Sequence, residues 1–356
     1  MISLFNTSLS ESEIELIERV LRSGKFVIGP EIDRLEQELG VYLGGHAVGC
    51  GSGTDALILA LEEFLPRNSC VIVPSMTFSA TAEAVIRAGG TPVCCDVDED
   101  YLTPSLDNVR DAVEEAIYAG HMVSGVVLVH LYGWPAFDLL SIKDFCDVNG
   151  LFLIEDCAQA FGAKLHGHSV GTFGHAGCYS FYPTKALGGI GDAGAVFFHE
   201  KEAAERIRIK RNHGRSDRGQ LTPGINSRID EPNAALLNYR LLGFDEENAA
   251  VRRRISHRYT AHGLNKLAPT RTGHGVPYVY PILVQENREA VRFRLAEAGV
   301  QTGTHYDPPV SKLPYAESFC PNAEWAAQHI VTLPCHHGMT EEDADRISDA
   351  LRVVAA

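Results

Sequence analysis

The chain has 356 residues, 45% hydrophobic and 22% charged, enough for one large domain and a smaller one. Its net charge of −15 comes from 31 basic and 46 acidic side chains, which argues against a nucleic-acid surface but leaves room for a local basic pocket. No apolar run approaches the ~20 residues of a membrane span, and the Met1-Ile-Ser-Leu-Phe-Asn-Thr-Ser8 start lacks the basic and apolar parts of a signal peptide. A cytoplasmic protein is expected, acting without nucleic acid or membrane. The nine cysteines include no CxxC pair and mostly sit in apolar runs, so buried free thiols are expected, with no disulfide or metal.

In chain order, residues 10–43 read as two amphipathic helices around Ile28-Gly-Pro30. From 46 to 210, apolar β-rich runs (71–73, 93–95, 126–129, 151–154, 195–198) alternate with helical stretches (54–65, 79–88, 106–117, 136–148). Such alternation predicts a largely parallel sheet covered on both faces. Residues 232–265 read as a long helix or helix pair. A smaller α+β unit follows, with strand 277–284, helix 287–298, strand 300–304 and a closing helix 340–352. The expected division is a large domain over 1–240 and a small one over 241–356. The boundary falls inside a helix.

The residue that says most about chemistry is Lys185, in the run Ser180-Phe-Tyr-Pro-Thr-Lys-Ala-Leu-Gly-Gly-Ile-Gly-Asp-Ala-Gly194. A lysine desolvated in such a pocket can lose its proton and attack a carbonyl. Upstream, Asp156 follows strand 151–154, and an acid there can hold a pyridinium nitrogen. The pair points to pyridoxal phosphate held as a Schiff base. Gln159 could donate to the ring hydroxyl, or simply face solvent beside an N-capping Asp156.

Gly51-Ser-Gly-Thr-Asp-Ala56 follows a short strand and opens a helix, so its amides could cradle a phosphate. The same string imitates a dinucleotide fingerprint. That fingerprint expects an acid about 20 residues on, where Ile72-Val-Pro-Ser-Met76 has none. A capped turn without ligand is the third reading. Phe78, just past strand 71–74, could stack on a pyridine ring or belong to the core. Ser180 could share the phosphate. His213 reads as structural, whereas Asn226 and Arg228 suit anion contacts. His305-Tyr306 could reach substrate or cap a loop.

These pieces together resemble the DegT-type sugar aminotransferases, pyridoxal-phosphate enzymes of fold type I. The resemblance runs over nearly the whole chain. It rests on Ser23-Gly-Lys-Phe-Val-Ile-Gly29, Gly51-Ser-Gly-Thr-Asp-Ala-Leu57, Val73-Pro-Ser-Met-Thr-Phe-Ser79, His130-Leu-Tyr-Gly133 and Ile154-Glu-Asp-Cys-Ala-Gln-Ala160. It continues through Ser180 to Lys185, Gly191-Asp-Ala-Gly194, Asn226-Ser-Arg-Ile-Asp-Glu231, His305-Tyr306 and Thr332-Leu-Pro-Cys-His-His-Gly-Met-Thr340.

The resemblance implies an α/β large domain with a mostly parallel, seven-stranded-type sheet flanked by helices, like aspartate aminotransferase, plus a smaller C-terminal α+β domain. It implies that Lys185 carries the cofactor and shuttles protons and that Asp156 pairs with the pyridine nitrogen. Gln159 would contact the ring oxygen and Phe78 lie against the ring. Gly53, Thr54 and Ser180 would hold the phosphate, and Asn226 would reach it from the other subunit of a homodimer with shared active sites. Arg228, His305 and Tyr306 are the candidate substrate contacts. Relatives often carry a second histidine shortly after the His-Tyr pair, and Tyr306-Asp-Pro-Pro-Val-Ser-Lys312 has none.

Members with histidine in place of the lysine act as dehydratases, so Lys185 favours transamination. The implied reaction moves an amino group from an amino acid, expected to be L-glutamate, to a nucleotide-linked keto-deoxysugar. The motifs lean toward C-3 amination, with C-4 amination or a cyclitol ketone as alternatives. A nicotinamide-dependent dehydrogenase and a non-catalytic regulator are the readings outside this class. The first lacks its ribose-binding acid, and the second lacks an appended basic helix-turn-helix.

Overall fold

The computed structural model describes residues 1–266, 268–285 and 287–354, with Val353 and Val354 described by backbone alone. Helix α1 (Glu11–Arg22) starts at a capping box, in which Ser10 accepts from the Glu13 amide and Glu13 accepts from the Ser10 amide. Helix α2 (Pro30–Leu43) starts with proline at its first position and ends at Gly44, which turns left-handed at φ +83°.

The predicted alternation then appears as strands β1 (His46–Cys50), β2 (Cys70–Pro74), β3 (Thr91–Cys95), β4 (Val123–Val129), β5 (Phe152–Asp156), β6 (Ala176–Ser180) and β7 (Gly194–Phe198). Between and after them lie helices α3 (Gly53–Phe64), α4 (Ala80–Arg87), α5 (Leu106–Tyr118), α6 (Leu139–Asn149), α7 (Lys201–Lys210) and α8 (Glu231–Leu242). The seven strands form one sheet in the order β1-β7-β6-β5-β4-β2-β3. Only β7 runs against its neighbours.

The strands read as unbroken apolar runs because both faces are covered. One face packs Val71, Val73, Ile154 and Cys178 against Leu57, Leu61, Val85 and Ile207 of α3, α4 and α7. The other packs Leu153, Val126 and Leu128 against Val109 and Ile142 of α5 and α6. On that same side, Phe197 and Tyr179 meet Leu35 and Leu39 of α2 and Leu237 of α8.

The expected helix pair over 232–265 is α8 followed by α9 (Ala250–Ala261), joined through a π-helical turn at Phe244–Ala249. The C-terminal unit has its own core, with Ile255, Tyr259, Leu295 and Ile347 around two strands. These strands are β8 (Tyr280–Leu283) and β9 (Ile330–Leu333), paired antiparallel. Helices α10 (Arg288–Glu297), α11 (Pro321–His329) and α12 (Glu341–Val354) complete it.

The expected strand over 300–304 does not form. Val300 bridges Ile2 and Gly303 bridges Thr332, one residue each, and the partner of β8 is β9 instead. Ile330-Val-Thr-Leu333 is the more continuous apolar run, and it is fully buried. The C-terminal unit also sends an arm back onto the large core. Val310, Ala316, Cys320 and Ala323 share a cluster with Val71 and Cys94. All nine cysteines are buried and free. No described helix is long and apolar enough to cross a membrane.

Candidate active site

The carboxyl ends of β4, β5 and β6 open onto a cavity of about 560 Å³, where an α/β sheet places its ligands. Gly53, Thr54, Phe78, Asp156, Gln159, Ser180, Lys185, His305 and Tyr306 all line it. Asn226 and Arg228 do not. The backbone of Asn226 bridges Asn212, and Arg228 Nη1 donates to Asn212 Oδ1 at 2.9 Å, so both lie away from the cavity of their own chain.

Lys185 sits on the loop leaving β6. Its amide donates to the Tyr182 carbonyl, and Gly189 returns the chain to the Phe181 carbonyl. The amine lies 4.6 Å from the centroid of the Tyr278 ring. Burial lowers its pKa to about 8, with the Asp156 charge pulling the other way. The Tyr278 phenol is fixed by the Thr184 hydroxyl at 3.0 Å, one residue before the lysine.

Asp156 closes β5 and is 5% exposed. Burial raises its pKa, while the Ala158 amide, the Thr81 hydroxyl and the Lys185 charge oppose that rise. The hydrogen bonds are 3.0 Å from Ala158 N and 2.9 Å from Thr81 Oγ1. Its neighbour Glu155 serves another purpose. It accepts from the amides of Gly171, Phe173 and Gly174 and pairs with His130 Nε2 at 2.8 Å. His130 Nδ1 accepts from Ala136 N, so Nε2 carries the proton. Cys157 lies close enough to complete a metal-donor trio with them, but these bonds already occupy the imidazole on both sides. The trio is a brace for the strand end.

Ser52 caps α3 by accepting from the Asp55 amide at 3.0 Å, leaving the first-turn amides of Gly53 and Thr54 beside Ser180. A Cβ on Gly53 would stand 2.7 Å from Ser180 Cβ, so glycine keeps this space open. Ser227 holds the turn from outside. Its hydroxyl accepts from Gly51 N at 2.8 Å and donates to Asp55 Oδ2 at 2.7 Å. Sequence reasoning singled out the residues on either side of Ser227 and passed over Ser227 itself.

Gln159 is clamped at both ends of its amide. Oε1 accepts from Tyr132 N at 2.6 Å, and Nε2 donates to Tyr306 Oη at 2.5 Å. The Tyr132 hydroxyl donates to the His305 carbonyl, and His305 Nδ1 meets Thr332 Oγ1 at 2.7 Å. Burial, then the Lys185 charge, lowers the His305 pKa to about 4. Phe78 is 56% exposed and faces Tyr306 at 5.6 Å between centroids. Phe5, from the N-terminal segment, stacks on Tyr278 at 5.1 Å.

The groups present fit pyridoxal phosphate: a helix-start anion cradle that a Cβ would fill, a buried carboxyl, an aromatic wall and an amine of lowered pKa around one cavity. This fold and site define a pyridoxal-phosphate-dependent enzyme of fold type I.

Its place within that class comes from comparison with known proteins. The chain belongs to the DegT/DnrJ/EryC1/StrS aminotransferase family, whose model matches residues 7–352. It is 38% identical, over 94% of its length and 90% of the relative's, to a dTDP-3-amino-3,4,6-trideoxy-alpha-D-glucose transaminase from Streptomyces venezuelae. It is 36% identical, over 94% and 92%, to a UDP-N-acetyl-3-dehydro-alpha-D-glucosamine 3-aminotransferase from Acidithiobacillus ferrooxidans. A relative named for 4-amination of a dTDP-linked sugar, from Saccharopolyspora spinosa, is 32% identical over 98% and 95%. Among solved structures, a family aminotransferase from Brucella abortus superposes with a TM-score of 0.90 at 33% identity, covering 96% of this chain and 95% of its own.

Proposed function

We propose that this aminotransferase carries an amino group from L-glutamate to C-3 of a nucleotide-linked keto-deoxysugar. The observation that carries the reading is the meeting of Lys185 and Asp156 in one cavity, with a lysine at the position where dehydratase relatives are expected to hold histidine. Relatives named for nucleotide sugars, two of them for position 3, support the acceptor class.

When bound, pyridoxal phosphate supplies an electron sink for cleaving the bond to hydrogen beside the amino group. The chain's residues supply the rest. The amides of Gly53 and Thr54 and the Ser180 hydroxyl would hold the phosphate. Asp156, buried and held by Thr81 and Ala158, would keep a proton on the ring nitrogen. Gln159 retains a second amide N–H for the ring oxygen. Phe78 and Tyr306 would bound the ring and exclude water. Lys185 Nζ, with its lowered pKa, would take the proton from the donor and return it to the product. His305 stays neutral near pH 7 and so brings no competing positive charge. Exposed Phe26, Val27 and Ile28, together with Asn226 lying outside its own cavity, support a homodimer that shares its sites.

The test is the visible absorbance of the holoenzyme. L-glutamate should bleach it, and dTDP- or UDP-linked 3-keto sugars should restore it with release of the amino sugar. Recovery with 4-keto sugars alone would move the assignment to C-4. No recovery with any nucleotide-linked keto sugar would reject the acceptor class.

A further inference from the structure

A second cleft, of about 480 Å³, lies between the loop after β4 and the C-terminal unit. Among the described residues its walls include Trp134, Ser256, His257, Thr260, Arg271 and Tyr280, and no carboxylate. The Arg271 guanidinium sits between two rings, its Cζ 5.1 Å from the Trp134 centroid and 5.3 Å from that of Tyr280. Among the described residues it has no hydrogen bond or ion pair, and its Nη2 is buried without a partner. Trp134 Nε1 is buried and unpartnered as well.

Both groups only donate, so neither can satisfy the other. Buried donors without acceptors are rare, and here two meet in one cleft. Arg252, which is fully buried, shows the ordinary solution. Its guanidinium donates to the carbonyls of Pro277 and Cys335 and to Asn248 Oδ1. Arg271 lacks any such set. Burial lowers its pKa to about 10, and the groups that oppose this are Tyr280, Tyr132 and Cys335, none a carboxylate. A guanidinium clamped by rings on its faces has only its edge to offer, and that edge matches two oxygens of one anion.

We infer that this cleft is a binding site for a small oxyanion, a carboxylate or a phosphate, held by Arg271 against Trp134. It is separate from the cofactor's phosphate cradle at α3. It adjoins the active site through the chain, because Trp134 follows the turn whose Tyr132 amide holds Gln159.

The chain has two tryptophans, so Trp325→Phe leaves Trp134 as the sole indole reporter. Holoenzyme is used, which keeps the cofactor's phosphate cradle filled. Inorganic phosphate and acetate are titrated at constant ionic strength while tryptophan fluorescence is read. A saturable change with a midpoint on the order of millimolar is expected for at least one of them. Arg271→Gln should raise that midpoint at least tenfold, with its own melting temperature confirming a folded protein. A response to phosphate alone, or to acetate alone, upholds the site and names the anion. No saturable change with either, or an unmoved midpoint in Arg271→Gln, overturns it. If Trp325→Phe fails to fold, calorimetric titration of the unsubstituted holoenzyme with the same two anions replaces the fluorescence, and the same outcomes decide.

Discussion

Asn248 Nδ2 donates to the carbonyl of Ala186, the residue after Lys185, at 2.8 Å. Asn248 Oδ1 accepts from Arg252 Nε at 2.6 Å, and Arg252 Nη1 donates to Pro277 O beside Tyr278. Asn248 Nδ2 also lies 3.2 Å from His337 Nδ1. That imidazole is pushed down to about 4 by burial and then by Arg252, so it is neutral and can accept. One asparagine therefore ties the lysine loop to the segment that carries the ring beneath the amine.

Asn248→Ala should leave the Ala186 carbonyl and the Arg252 Nε unpaired. The expected loss of stability is about 1–3 kcal/mol, measured by urea unfolding. Cofactor affinity should fall at the same time, because the lysine loop loses its anchor. Unchanged affinity in a folded variant would deny Asn248 any role in positioning Lys185.

Lys185→Ala should lose turnover by more than the ~10²–10⁴-fold of positioned proton transfer, since the covalent attachment goes too. Stopped-flow assays with L-glutamate would measure it. Near-normal turnover would exclude Lys185 as the proton carrier.

Attachment of the cofactor needs the neutral amine, and burial favours that form. The rate at which apoprotein captures pyridoxal phosphate should therefore rise with pH, with a midpoint near 8 in place of the ordinary lysine value. Asp156 opposes this shift by favouring the charged amine, so Asp156→Asn should move the midpoint lower still. A midpoint that rises in that variant would contradict the electrostatic coupling.

Gly53→Ala places a methyl 2.7 Å from Ser180 Cβ. The cradle narrows, and affinity for pyridoxal phosphate should drop at least ~10-fold, or about 1.4 kcal/mol. Equilibrium dialysis would show it, with Val148→Ala, exposed and outside the cavity lining, as the control.

The parallel sheet was legible because its strands are unbroken apolar runs between helices, and the cavity because its residues end those strands. Asp156 follows Phe152-Leu-Ile154 with one residue between, and Gly53 opens a helix with a capping serine before it. Thr81, Tyr278 and Asn248 were not legible. Each meets the site from a distant segment, and nothing local to Thr81 marks it as the partner of Asp156, 75 positions on. Strand 300–304 was expected as part of the smaller α+β unit. It fails because Ile2, from the other end of the chain, claims Val300, and Ile330–Leu333 offers β8 a longer apolar partner.

The π-helical turn at Phe244–Ala249 gives the junction between α8 and α9 a phase. A π turn holds one more residue than an α turn, and each residue of an α-helix advances the azimuth by about 100°. Deleting any one residue there would rotate α9 by that angle. Arg252 would swing off the carbonyls it bridges, although Arg252 itself remained the same. Spacing at this point is therefore as constrained as identity, and a variant that keeps Arg252 but lacks one residue of this turn would uncouple the C-terminal unit from the lysine loop.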